Sequence, residues 1–169
     1  MDFENMRLQE GILLDKMKVN IGVKGICPGA GATFVSGWLD HYLNDKDRHR
    51  FFVSSPEKYA VFDDPECMDE MDIIVAVIDP LPSLLIEGAA NIGELREMKR
   101  EVLWILNRDN RGVNRREMKR YLGFMPEFSQ EEIPREIIAR AEYNCEKLPS
   151  VMELKGIEAL GDHIRSIMS

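Results

Sequence analysis

Six consecutive apolar residues, Ile73-Ile74-Val75-Ala76-Val77-Ile78, leave a strand no polar face, so both of its sides must be covered by other elements. A central strand in a parallel sheet, with helices above and below, meets that demand. Asp79-Pro80-Leu81-Pro82-Ser83 then stops the run and offers Ser83 as a helix cap. The rest of the chain alternates in kind. Val19, Ile21 and Val23 have the two-residue period of a strand that runs into a turn at Gly25-Ile26, and Phe34, Val35, Trp38, Leu39 and Tyr42 follow at helical spacing. Phe51-Phe52-Val53 and Tyr59-Ala60-Val61-Phe62 are further strand candidates. A helix is expected from Leu84 to about Lys99, a strand at Val102 to Leu106, a turn at Asp109-Asn110-Arg111-Gly112, and a helix from Asn114 to Leu122. A short strand at Phe124 to Phe128 and helices near Pro134 to Glu146 and Gly156 to Met168 complete the reading. Alternation of this kind predicts an α/β fold, a mainly parallel central sheet flanked by helices. The 169 residues suit one domain over 16–169, with 1–15 as an N-terminal arm or added helix carrying Met6, Leu8, Ile12 and Leu13.

Charge narrows the partners. Thirty acidic against 22 basic residues give a net charge of -8, a poor footprint for gripping a phosphate backbone, so no nucleic-acid partner is expected. The apolar run is far shorter than the ~20 residues that span a bilayer, and the acidic start Met1-Asp2-Phe3-Glu4 is no signal peptide, so a cytoplasmic protein is expected. Ile157, Leu160, Ile164 and Ile167 share one face of the last helix. With few basic residues around them, they are better suited to the sheet than to a membrane surface. Cys27, Cys67 and Cys145 form no CxxC pair, and His41, His49 and His163 are scattered, so neither a disulfide framework nor a zinc site is written here.

The chemistry lies between the first strand and the first helix, in Cys27-Pro28-Gly29-Ala30-Gly31-Ala32-Thr33. Glycines at this place let backbone N–H groups converge on an anion while the following helix turns its positive end to it. A working phosphate-binding loop adds a lysine for the β- and γ-phosphates and a hydroxyl for magnesium. Thr33 keeps the hydroxyl, and Ala32 stands where the lysine belongs.

This loop resembles that of the ParA/MinD group of P-loop NTPases, which reads KGGxGK[ST]. In register, Cys27 and Ala32 replace its two lysines and Pro28 replaces a glycine, whereas Gly29, Gly31 and Thr33 match and Ala30 takes the variable place. Three later features follow in the family's order. Asp63-Asp64-Pro65 resembles a DxP segment with Asp63 in the magnesium position. Ile73 to Ser83 resembles a buried strand with a proline-bearing turn, and Leu106-Asn107-Arg108 resembles a strand whose asparagine faces adenine. The resemblance covers Lys18 to Gly123 and implies a three-layer P-loop NTPase-like fold. It further implies a nucleotide site at Gly29, Ala30, Gly31, Ala32, Thr33 and Asn107, a metal site at Thr33 and Asp63, and ATP or ADP with magnesium as ligand.

Departures from the pattern bear on activity. Both loop lysines are missing, and the segment from Arg50 to Ile73 leaves little room for two switch segments. A degenerate member is therefore expected, one that binds nucleotide weakly or not at all and works as a regulator or scaffold through a protein partner or self-association. In an alternative, an active ATPase receives the missing charge from a partner chain or from Arg108, Arg111, Arg115 and Arg116. Plainer roles remain open for each residue: Asp63 as a strand end, Asn107 as the start of a turn, the arginines as a solvated surface. Lys24, on the strand, is expected to be a poor substitute for the loop lysine. Bacterial tyrosine kinases share this fold family, but no tyrosine follows Tyr143 to make their tail.

Overall fold

The computed structural model describes residues 18–45, 58–109, 114–144 and 153–169. The alternating segment and the fully apolar run become strands β1 (Val19–Gly25) and β3 (Ile73–Ile78), and three further segments give β2 (Tyr59–Asp63), β4 (Glu101–Asn107) and β5 (Phe128–Gln130). They form one sheet in the order β2-β1-β3-β4-β5, and every neighbouring pair is parallel. Every residue of β3 is buried, as a strand without a polar face requires. Among the described residues six α-helices accompany the sheet: α1 (Ala32–Asp40), α2 (Pro82–Glu87), α3 (Ala89–Glu97), α4 (Arg115–Leu122), α5 (Arg135–Tyr143) and α6 (Lys155–Ile167).

Register decides which side chains share a face. Val23 lies opposite Asp63 and Val75, Val75 opposite Leu103, and Asn107 opposite Gln130. Because side chains alternate along a strand, Val23, Asp63, Val75, Asn107 and Gln130 project on one side and Lys24, Ala76 and Trp104 on the other. The first side is covered by α6. Phe128 meets His163 with ring centroids 5.4 Å apart, and Gln130 Oε1 accepts from the Gly156 and Ile157 N–H groups at 3.1 and 3.4 Å, satisfying two donors at the start of α6. A π-helical turn, His41–Asp45, continues α1 and ties it to α6: Tyr42 Oη donates to Asp162 at 2.9 Å, and Arg165 donates to the carbonyls of Tyr42 and Leu43 at 3.0 and 3.1 Å. On the second side Trp104 packs on Phe124 at 4.8 Å. Arg96 of α3 lies over the same ring and donates to the Leu122 carbonyl of α4 at 3.3 Å. The result is a three-layer α/β domain.

Three sequence expectations change. Ser83 is no cap, since α2 begins at Pro82, whose fixed φ suits a first helical position, and Asp79 Oδ1 accepts from the Leu81 N–H at 3.0 Å instead. The helix expected from Leu84 to Lys99 is two, joined at Gly88. A Cβ at Gly88 would stand 2.8 Å from Ile26 Cδ1, so the chain turns where only glycine lets it approach the end of β1. The last strand begins at Phe128, because Phe124 and Met125 pack on the core instead of pairing. The strand expected at Phe51-Phe52-Val53 and the arm over 1–15 lie outside the described residues. No helix among the described residues is long and apolar enough to cross a membrane.

Candidate functional site

Between β1 and α1 the backbone turns through two left-handed glycines, Gly29 at φ 85° and Gly31 at φ 96°. Gly31 is the N-cap of α1 and offers no side-chain cap, so the first N–H groups of the helix have no partner within it. Three side chains hold the loop by its carbonyls. Asn91 Nδ2 donates to Ile26 O at 2.7 Å, Asn107 Nδ2 to Ala30 O at 3.0 Å, and Arg108 Nη1 to Gly29 O at 3.1 Å. Asn107 is buried at the end of β4, and Arg108, the next residue, sits at φ 60°. That conformation is unusual for a side chain other than glycine, asparagine or aspartate, and here it accompanies a guanidinium lying across the loop. The same Nη1 donates to Asp79 Oδ2 at 2.6 Å, and Asp79, at the end of β3, is fully buried.

The loop borders a cleft of about 760 Å3. Gly29, Ala30, Gly31, Ala32, Thr33 and Asp63 all line it, so residues 29–33 and Asp63, separated by thirty positions, face one space. Asn107 lines a neighbouring cavity of about 310 Å3 with Glu131, Glu132 and Ile133, and Phe34 and Arg108 border both spaces. Asn107 is thus beside the loop, with one amide N–H engaged on Ala30.

Among the described residues two cations line the cleft. Lys24, expected to be a poor substitute for the loop lysine, has its ammonium paired with Asp64, a residue at φ 45° directly after β2. Arg108 lines it as well and is engaged by Asp79. The rest of the arginine group goes elsewhere: Arg115 Nη2 pairs with Asp109 at 2.7 Å, Arg116 is exposed on α4, and Arg111 lies outside the described residues.

Thr33 and Asp63 supply two oxygen donors to one cleft. This suits a magnesium ion, which keeps water and phosphate oxygens in its shell. No cluster of three or more His, Cys, Asp or Glu able to hold a metal occurs among the described residues, so any such ion would depend on the ligand's own oxygens.

Cys27, where the resemblance places a lysine, is buried. Burial first, then the negative charges of Glu87 and Asp79, raise its thiol above the ordinary value of 9.0. Thiolate is the reactive form, so Cys27 should resist iodoacetamide at neutral pH while exposed Cys67 is labelled, and its labelling should rise with pH or on unfolding. Mass mapping of the labelled peptides checks this. Modification of Cys27 as fast as Cys67 at neutral pH would contradict it.

No family model matches the chain, and no curated protein matches it in sequence. Among solved structures, the chain is similar to a ParA family ATPase from Chlorobium tepidum TLS, with a TM-score of 0.60 and 12% identity over 87% of this chain and 98% of that one. An identity so low speaks for the fold alone. Together with the all-parallel sheet, it gives this chain a ParA-like P-loop NTPase fold.

Proposed function

We propose that this is a degenerate P-loop protein that binds ATP or ADP weakly, does not turn it over efficiently by itself, and acts as a regulator or scaffold through protein contacts. One observation carries the reading: both cations lining the cleft are already paired, Lys24 with Asp64 and Arg108 with Asp79, while Asp63 adds a further carboxylate. A triphosphate entering this space finds charges that largely cancel. In a working P-loop an unpaired lysine faces the β- and γ-phosphates, and such preorganised charge supplies much of the catalysis of phosphoryl transfer. Left for a nucleotide are the amides at the start of α1, the Thr33 hydroxyl and a magnesium ion held with Asp63. The cavity beside Asn107 has room for a base, and Glu131 and Glu132 could accept from its exocyclic amine.

Calorimetric titration with ATP and ADP in the presence of magnesium tests the binding. The expected dissociation constants are about 0.1–1 mM, and low-micromolar binding would overturn the reading. A second reading is favoured by the position of Arg108 at the mouth of the loop: its guanidinium could leave Asp79 and serve the phosphates of an active ATPase. Turnover that disappears in an Arg108→Lys variant, which keeps a cation but loses the fork, would support it.

A further inference from the structure

The exposed face of α4 crowds four cations onto eight residues; Lys119 and Arg120 in the last turn suit the helix dipole, but the first-turn cations do not. Arg115 and Arg116 occupy the first two positions after the N-cap Asn114, where the helix dipole is already positive. Lys119 and Arg120 follow four residues later, giving two like-charged pairs at i,i+4 spacing, each of them destabilising. Relief is slight: Glu117 lies in the first turn, and Arg115 meets Asp109 at 2.7 Å. Among the described residues no carboxylate pairs with Arg116, Lys119 or Arg120. The helix persists through its ends and its buried face. Asn114 Oδ1 accepts from the Arg116 N–H at 2.9 Å, the left-handed Gly123 donates its N–H to Lys119 O at 2.8 Å, and Met118 and Leu122 are buried. Its four cations are all exposed, and Tyr121, 62% exposed, borders them at the C-terminal end. None of these residues lines either cavity.

We propose that this face docks an acidic segment of a partner protein, whose carboxylates are received by Arg116, Lys119 and Arg120. Charge complementarity argues for the occupant, since carboxylates would relieve repulsion that the free protein tolerates, and arginine and tyrosine are the side chains that most often anchor protein contacts. A protein segment suits the patch better than a nucleic acid. The eight-residue helix extends only about 12 Å, and the whole chain at -8 repels a long polyanion. The proposal rests on the reading that the chain works through protein contacts. It is independent of whether the cleft takes nucleotide.

The test uses the full chain and a fluorescein-labelled peptide of glutamate and tyrosine, read by anisotropy at low and at physiological salt. The expected result is saturable binding that weakens with salt and falls at least about tenfold in Arg116→Glu, with a smaller loss in Lys119→Gln. Lys155→Glu, an exposed reversal at the start of α6, should leave binding unchanged. Arg116→Glu places an acid in the first turn opposite Arg120, so it should melt no lower than the wild type and report binding rather than folding. The proposal is overturned by absence of saturable binding, by equal loss in Lys155→Glu, by tighter binding of duplex DNA than of the peptide, or by self-association through α4 that Arg116→Glu abolishes. Nucleotide titration of Arg116→Glu should match the wild type, which separates failure here from failure of the cleft reading.

Discussion

Replacement of Arg108 by alanine should lower the melting temperature by roughly 6–12 °C. Removing one partner of a buried ion pair costs about 3 kcal/mol or more, and in a domain of this size each kcal/mol corresponds to about 2–4 °C. Asp79 is fully buried, whereas the Arg108 side chain is 30% exposed, so nearly all of the penalty arises from a carboxylate left in the core without its guanidinium. Gly29 O loses a donor at the same time. Two controls separate the contributions. Arg108→Gly removes the pair but relaxes the backbone at φ 60°, and should be about 1 kcal/mol less harmful than Arg108→Ala. Combining Arg108→Met with Asp79→Leu removes both charges and should recover most of the loss. If Arg108→Ala melts within about 2 °C of the wild type, the Asp79 pair is not holding the loop.

Gly31 should be the least replaceable residue of the loop, and Gly29 provides the internal comparison. Both lie at positive φ, where a side chain costs about 1 kcal/mol. They differ in surroundings. A Cβ at Gly29 meets nothing within 4 Å, but one at Gly31 collides with Asn107 Nδ2, which is buried and bonded to Ala30 O. Moving that amide breaks a buried hydrogen bond, a further loss of about 1–3 kcal/mol. Urea unfolding should therefore give about 1 kcal/mol for Gly29→Ala and about 3 kcal/mol for Gly31→Ala. In an Asn107→Ala background the Gly31→Ala effect should shrink toward the Gly29 value, because the two changes share one contact. Equal effects at the two glycines would show that Asn107 does not press on the loop.

The framework of the fold was legible because it rests on periodicity. The apolar run at Ile73–Ile78, the alternation leading into Gly25 and the helical spacing after Thr33 each state their burial directly, and the all-parallel sheet follows from them. The break at Gly88 was not legible, because glycine inside a helical pattern carries no mark of the Ile26 side chain it must clear. In the site, the loop glycines, Thr33 and Asp63 could be placed in one cleft from motif order alone. The pairing of Lys24 with Asp64 and of Arg108 with Asp79 could not be read there. Strand alternation puts Lys24 on the sheet face opposite Asp63, yet at the strand end it borders the cleft and meets Asp64. The reach of Arg108 depends on a left-handed backbone that no residue type there announces. The buried Asp79 read as part of a turn, because its partner is 29 positions away and the pairing exists only in the folded sheet.

Phosphate release from ATP, measured at high protein concentration with magnesium and compared with Thr33→Ala and Ala32→Lys variants, addresses the central claim directly. On the proposed reading, with no lysine in residues 27–33 and the cations of the cleft engaged by Asp64 and Asp79, the wild type should release phosphate no faster than Thr33→Ala. Ala32→Lys adds an unpaired charge at the start of α1 and should tighten ATP binding by about tenfold, the worth of one charge-assisted contact. Robust turnover by the wild type that vanishes in Thr33→Ala would show that the loop is catalytic as it stands, and would contradict this account.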